Sequence, residues 1–186
     1  MSKKDKHLPT RPTLVGKKLF LRHATVDDLT NTFHWLLQGE PQSMTCRPYT
    51  FATAADEVEA HKKAARSERQ QLFMIIRKED KLPVGRVRFF DYNSLNRSAE
   101  LGLIIDPDER RNGYAGEALK LLITYLFRYR GLNKVYAQTA EFNEASVKLL
   151  ESLGFKRDGT LRDHHYFDGE FHNDHVYSLL AYELDW

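Results

Sequence analysis

The stretch from Ser98 to Tyr125 constrains the chain most: strand, turn and helix succeed one another there around Arg110-Arg111-Asn112-Gly113-Tyr114-Ala115-Gly116. Ala99, Leu101, Leu103 and Ile105 alternate with Glu100, Gly102 and Ile104, apolar enough on both faces for a central strand. Asp106-Pro107-Asp108 stops it, because proline cannot donate to a ladder and disfavours helix in the residue before it. Ala115, Ala118, Leu119, Leu122, Ile123 and Leu126 then recur at three- and four-residue steps, the buried stripe of a helix ending near Gly131. The first turn of such a helix has unpaired backbone N–H groups and the positive end of the dipole, with Arg110 and Arg111 beside them. An anion is the natural occupant, and Gly113 and Gly116 hold no side chain between it and the backbone. A plain capped loop is the other reading. The spacing is neither G-x-x-x-x-G-K-[ST] nor G-x-G-x-x-G, so nucleotide hydrolysis and hydride transfer both lose support.

The length of 186 residues fits one domain, 1–186, with a core large enough to fold without staples, and residues 1–12 as a flexible tail. Hydrophobic residues at 41% and charged residues at 29% are near the globular average, so neither disorder nor a membrane protein is indicated, and no apolar run approaches a membrane span. The first seven residues are too polar for a secretory signal, and the single cysteine, Cys46, fits a reducing compartment, so a cytoplasmic setting is expected. A net charge of +2 is too balanced for a nucleic-acid binder, and Lys3, Lys4 and Lys6 read as a solvated end.

In chain order, Lys17 to His23 reads as a strand, and Thr25 caps a helix running through Phe33, Leu36 and Leu37 until Gly39 and Pro41. Gln42 to Thr53 reads as a loop and Ala54 to Glu68 as a second helix. A hairpin follows, Gln71 to Arg77 and Val84 to Tyr92, with a polar turn at Asn93 to Asn96 leading into the central strand. Lys134 to Ala140 reads as a strand and Glu144 to Leu153 as a helix. Asp168-Gly169 turns a last hairpin that ends in Val176 to Leu184. The class is α+β, a mixed, mostly antiparallel sheet flanked by helices.

Arg110-x-x-Gly113-x-Ala115 resembles the Q/R-x-x-G-x-G/A signature with which GNAT acyltransferases bind the pyrophosphate of coenzyme A. Downstream, Asn143-Glu144-Ala145-Ser146, Leu149 to Phe155, Gly159 to Arg162 and Tyr177 to Leu180 are similar to the C-terminal half of one subgroup. That subgroup holds the ribosomal-protein N-terminal (Rim-type) and spermidine acetyltransferases. Arg97 to Glu100 and Leu103 to Ala115 match its cofactor motif in the same order, so the likeness covers about half the chain and leaves 17–92 matched only in outline.

The resemblance implies a GNAT fold and an acetyl-CoA-dependent N-acetyltransferase acting on a primary amine by direct attack in a ternary complex. Glu100 is the candidate general base, mid-strand and next but one to Gly102, which would clear space beside it. Its structural alternative is an ion pair with Arg88 or Arg97. By resemblance, the amides of Leu103, Ile104 and Ile105 hold the pantetheine arm, and Arg110, Arg111, Asn112, Gly113, Tyr114, Ala115 and Gly116 take the pyrophosphate. Asn143 bonds the cofactor near its sulfur while also capping the next helix. The tyrosine that many relatives use as acid is Leu150 here, which leaves Ser146 to assist the departing thiolate. The acceptor is a small amine or a protein N-terminus, and the assembly a monomer or homodimer. A non-catalytic acyl-CoA sensor is the alternative function. No metal is expected: His164, His165, His172 and His175, with Asp168 and Asp174, read as rim or surface groups, since neighbours in a strand face opposite ways. Phe33 and Trp35 read as helix core, and Cys46 has no flanking base.

Overall fold

The computed structural model describes residues 13–37, 53–64 and 67–186. The tail at 1–12, the helix stop at Gly39 and Pro41, the loop from Gln42 up to Thr53, and Cys46 lie outside the described residues.

Among the described residues eight strands form one sheet: β1 (Leu14–Val15), β2 (Leu19–His23), β3 (Gln71–Arg77), β4 (Pro83–Asn93), β5 (Ser98–Ile105), β6 (Lys134–Ala140), β7 (Lys156–Phe167) and β8 (Glu170–Leu180). Their order is β1-β2-β3-β4-β5-β6-β8-β7. Of these strands only β5 and β6 run parallel, and α4 (Tyr114–Arg128) is the crossover that a parallel pair requires. The other helices are α1 (Val26–Asn31), α2 (His34–Leu37), α3 (Ala54–Ala64) and α5 (Glu144–Ser152). The expected α+β class and mixed, mostly antiparallel sheet are what the chain forms. No helix among the described residues is long and apolar enough to cross a membrane.

The main core lies on the face that carries Ala99, Leu101, Phe89 and Val87, covered by the α4 stripe of Ala118, Leu122, Ile123 and Leu126. Burying each Leu or Ile there contributes about 1.5–3 kcal/mol, far above helix propensity, so packing sets where α4 lies. On the opposite face Trp35, Met74 and Ile76 form a smaller cluster with Phe20, Ala24 and Ile104. Phe33 and Trp35 are core, as their spacing suggests.

Three boundaries differ from expectation. The helix opening at Thr25 does have its capping box, with the Thr25 amide 2.7 Å from Asp28 Oδ2, but it breaks at Thr32 and Phe33 into α1 and α2. At the break the Arg86 guanidinium donates to the Thr32 hydroxyl at 3.0 Å. The second helix is described only to Ala64, and Ser67 to Arg69 leave the helical path. The last strand ends at Leu180, because Glu183 Oε2 accepts the Leu180 amide at 3.0 Å and winds Ala181–Glu183 into a 3-10 turn. The Asp168-Gly169 turn is as expected, both residues at positive φ (51 and 85°), as a two-residue hairpin demands.

Candidate active site

Parallel pairing of β5 with β6 joins Ser98, Ala99 and Glu100 to Lys134, Val135 and Tyr136 and goes no further. β5 nevertheless continues to Ile105, paired with β4 up to Gly85. The two central strands therefore part at Glu100. The Asp106 amide donates to Val84 O at 3.1 Å, and successive amides in a strand point to opposite edges. Those of Gly102 and Ile104 accordingly turn toward β4, and those of Leu103 and Ile105 toward the opened edge. Of the three residues expected to offer amides to a ligand arm, two present them there and Ile104 commits its own to the sheet.

Past the 3-10 turn Pro107–Glu109, Arg111 and Gly113 both take left-handed backbone, at φ 65 and 80°. A Cβ on Gly113 would meet no protein atom within 4 Å, so its φ, not packing, calls for glycine. α4 has no side-chain cap. Its first-turn acid, Glu117, instead accepts the Lys18 and Leu19 amides at 2.8 and 3.3 Å, turned toward β2. The Glu117 amide closes the first helical bond to Gly113 O, so the amides of Tyr114, Ala115 and Gly116 have no intrahelical partner. Arg110 and Arg111 are exposed, with no hydrogen bond or ion pair to another described residue. Open amides, a left-handed turn and two cations make a fitting seat for a diphosphate.

The Tyr114 ring points away from that seat into the core. Its hydroxyl lies 3.5 Å from the Arg77 guanidinium, which also pairs with Glu109 at 2.7 Å. Arg77 thus braces the loop from β3, a role sequence reading missed; no local pattern links residues so far apart. Asn112 is tied back by its side-chain amide to Glu109 O at 3.2 Å.

Glu100 is 5% exposed and sits at the last paired position before the strands part. It shares a face with Gly102, but that glycine does not clear open space beside it as expected. A Cβ there would meet Arg88 Nε at 3.1 Å and Phe90 Cε1 at 3.3 Å, so cross-strand side chains have moved in over the bare backbone. Arg97, one of the two arginines considered as its partner, donates through Nε to Gly131 O at 2.7 Å. Asn143 is the N-cap of α5, its Oδ1 accepting the Ser146 amide at 3.1 Å, which fixes Ser146 one turn in and half-buried. Leu150 is buried in the main core.

On the Glu100 face a cleft of about 480 Å³ opens between α1, α3 and the β3–β5 floor. Leu29, Glu57, His61, Arg86, Arg88 and Gly102 are among its walls. Arg86 and Glu57 form a buried ion pair there, 4% and 7% exposed, and Arg86 also donates to Thr32 and to Leu29 O. Burial pushes the Glu57 carboxyl up, and the pull of Arg86 and Arg88 does not offset it. Burial likewise pushes His61 down, so it is neutral at neutral pH.

The histidines of the last hairpin do not behave as a group. His165, expected at the surface or rim, is buried at 7% exposure because its strand position turns it in against Phe142, 5.3 Å between ring centroids. Its Nδ1 lies 3.4 Å from Asp174 Oδ1, outside hydrogen-bond geometry, while Gln138 donates to Asp174 Oδ2 at 2.7 Å. Among the described residues no three His, Cys, Asp or Glu side chains converge on a point.

A profile for the acetyltransferase (GNAT) domain matches residues 18–156, from the edge of β2 to the start of β7. The chain belongs to the GNAT acetyltransferase family. Within it, this GNAT protein is 30% identical over 173 residues to N-acetyltransferase p20 of Bacillus licheniformis, whose role is uncharacterised, covering 92% of this chain and 97% of that one. It is 35% identical over 106 residues to N-acetyltransferase YoaA of Bacillus subtilis, also uncharacterised, and 31% over 88 residues to spermidine N(1)-acetyltransferase of Vibrio cholerae. Those two matches cover 57% and 47% of this chain and span only 60% and 51% of the relatives' lengths. Among solved structures, the Vibrio cholerae spermidine acetyltransferase with CoA and spermine superposes at TM-score 0.84 and 23% identity, over 90% of this chain and 98% of that one, which shows a common fold. A dodecameric form of that enzyme gives 0.76 at 25%, over 89% and 95%. This GNAT protein is an acetyl-CoA-dependent N-acetyltransferase acting on an amine; family membership does not specify which.

Proposed function

We propose that the chain acetylates a small primary amine in a ternary complex, with Glu100 receiving the amine's proton and Ser146 assisting the departing sulfur. The parting of β5 from β6 at Glu100 carries this reading, because it puts a buried carboxylate where the amides of Leu103 and Ile105 become available. The cleft of about 480 Å³ on the same face is of a size that suits a small acceptor. The reducing setting that suits a lone Cys46 is the cytoplasm.

The thioester of acetyl-CoA supplies an already activated acyl group, so no acyl-enzyme is needed. Arg110, Arg111, Asn112 and the amides from Gly113 to Gly116 hold the diphosphate, with Tyr114 and Ala115 contributing backbone alone. Leu103 and Ile105 hold the pantetheine arm and polarise the carbonyl oxygen, where negative charge develops during attack. An alkyl amine with a pKa of about 10.4 arrives protonated at neutral pH, so Glu100, directly or through water, must take a proton before or during attack. Asn143 orients the start of α5, and the Ser146 hydroxyl hydrogen-bonds the sulfur as it gains charge.

Calorimetric titration with coenzyme A and a thiol-release assay with acetyl-CoA test the scheme. Glu100→Gln is expected to lower kcat by about 10²- to 10⁴-fold with coenzyme A affinity unchanged. A folded protein indifferent to coenzyme A would sink the reading as a whole. Full turnover by the variant would remove Glu100 from its role.

A further inference from the structure

The loop that takes the diphosphate in the acetyl-transfer reading is fastened at both ends to one side chain outside it. Arg77, the last residue of β3, donates through Nη1 to Glu109 Oε2 at 2.7 Å, just ahead of the loop. The same nitrogen lies 3.5 Å from the hydroxyl of Tyr114, the first residue of α4, just behind it. Nε and Nη2 go to Asp80 in the β3–β4 turn, at 3.0 and 2.6 Å. Two carboxylates thus fix the plane of the guanidinium, Asp80 from the hairpin and Glu109 from the loop, and Arg77 and Glu109 are both half-buried.

Between the fastened ends Arg111 and Gly113 stand in left-handed backbone, at φ 65 and 80°. Arginine rarely adopts that conformation, and such strain lasts only where the surroundings over-determine it. Asn112 is tied to Glu109 O through Nδ2 at 3.2 Å, so this contact too depends on where Glu109 is held. A loop released at Glu109 would sample other turns, in which the amides from Tyr114 to Gly116 and the cations of Arg110 and Arg111 no longer converge. A seat formed only part of the time binds its ligand more weakly in proportion.

We propose that Arg77 is a positioning residue for coenzyme A: with Glu109 and Tyr114 it clasps the diphosphate loop in its binding shape before the ligand arrives, an assignment that rests on the acetyl-transfer reading. The clasp has a signature that charge alone cannot imitate. Loss of the Arg77 cation would weaken an anion's binding by electrostatics as well, whereas loss of the Glu109 carboxylate would by electrostatics strengthen it. A clasp that sets affinity makes both losses weaken it.

Calorimetric titration of the full chain with coenzyme A reads this directly. Arg77→Met is expected to raise Kd by about tenfold or more, the effect of losing one charged hydrogen bond, and Glu109→Gln by about threefold or more, against the sign of its charge. Arg77→Lys, which can still reach Glu109, should recover part of the loss. The double variant Arg77→Met/Glu109→Gln should bind no more weakly than Arg77→Met, since both changes remove one contact. Asp80→Asn loosens the hairpin turn alone, so it should lower the melting temperature while moving Kd by less than about twofold. Thermal melts confirm that each variant folds, and should Arg77→Met fail to, Glu109→Gln carries the test. Tighter or unchanged binding in Glu109→Gln, or unchanged binding in a folded Arg77→Met, overturns the proposal. So does a loss in Asp80→Asn equal to that in Arg77→Met, which would place the effect in the hairpin. A wild-type chain that does not bind coenzyme A overturns the acetyl-transfer reading beneath it, and the clasp as a determinant of affinity falls with it.

Discussion

In the proposed scheme the protons assigned to Glu100 and Ser146 differ greatly in difficulty. An alkylammonium must lose its proton before nitrogen can attack, whereas a thiol of pKa about 8.5 is a tolerable leaving group without help. Ser146→Ala is therefore expected to reduce kcat by about tenfold or less, well short of the Glu100→Gln loss, when both are read by thiol release at saturating substrate. Asp28 shows a residue whose charge serves the fold. Burial works to raise its carboxyl, but hydrogen bonds from Arg22 at 2.5 and 2.7 Å and from Thr25 outweigh it and hold the group below its ordinary 3.8. A depressed carboxyl gives stability that is fully present above the ordinary value and is lost as pH falls from there through the lower folded one. Urea unfolding at pH 7 should show Asp28→Ala less stable by about 1–2 kcal/mol, the size of a lost helix cap with its ion pair. The deficit should shrink as the pH is taken below 3.8, and a deficit independent of pH would contradict the account.

Two helix ends differ in what holds them, and the difference separates function from stability. α5 closes in a Schellman arrangement: the Phe155 amide donates to Leu150 O at 3.1 Å, the Gly154 amide to Glu151 O at 3.0 Å, and Gly154 takes φ 81°. Gly154→Ala should cost about 1 kcal/mol in denaturant unfolding and leave the KM for acetyl-CoA unchanged. α4 begins with its amides uncommitted, so substitution there should be read in binding. Gly113→Val, which must hold φ near 80° and places methyls beside the open amides, should weaken coenzyme A by about tenfold or more in calorimetry. Equal affinity would mean the diphosphate sits elsewhere. These ends were legible in the sequence because glycine at a helix terminus is a local signal. So were β3 and the Asp168-Gly169 turn, where alternation and turn chemistry act within a few residues. The break between α1 and α2 was not, since no glycine or proline marks it and the Thr32 hydroxyl there is met by an arginine 54 positions away. Nor was the bracing of the anion loop by Arg77, 32 positions from Glu109.

At the scale of the molecule, the chain's two halves contribute differently to the site. The half from β5 to α5 provides the open amides at the start of α4, the parting strands and the capped helix with Ser146, all in sequence order. The cleft proposed for the acceptor is assembled from α1, α3 and β3–β5, whose polar residues come together only in the folded sheet. The Arg86–Glu57 pair fastens that assembly, joining the sheet floor to α3 and, through Thr32 and Leu29, to α1. It is also a place where burial opposes charge. With its carboxyl raised, Glu57 binds a proton more readily folded than unfolded, so its ionisation costs stability as the pH rises from the ordinary 4.5 to the higher folded value. Removing only the cation should make this far worse. Arg86→Met leaves a buried carboxylate without its counter-charge and is expected to cost about 3–5 kcal/mol in urea unfolding at pH 7. Part of that loss should return at pH 4.5, where Glu57 can protonate. The double variant Arg86→Met/Glu57→Leu places no charge there and should recover most of the stability, because well-packed apolar groups replace a buried pair at little cost. Single and double variants equally unstable would show that the pair's geometry, rather than its uncompensated charge, is what holds the cleft closed.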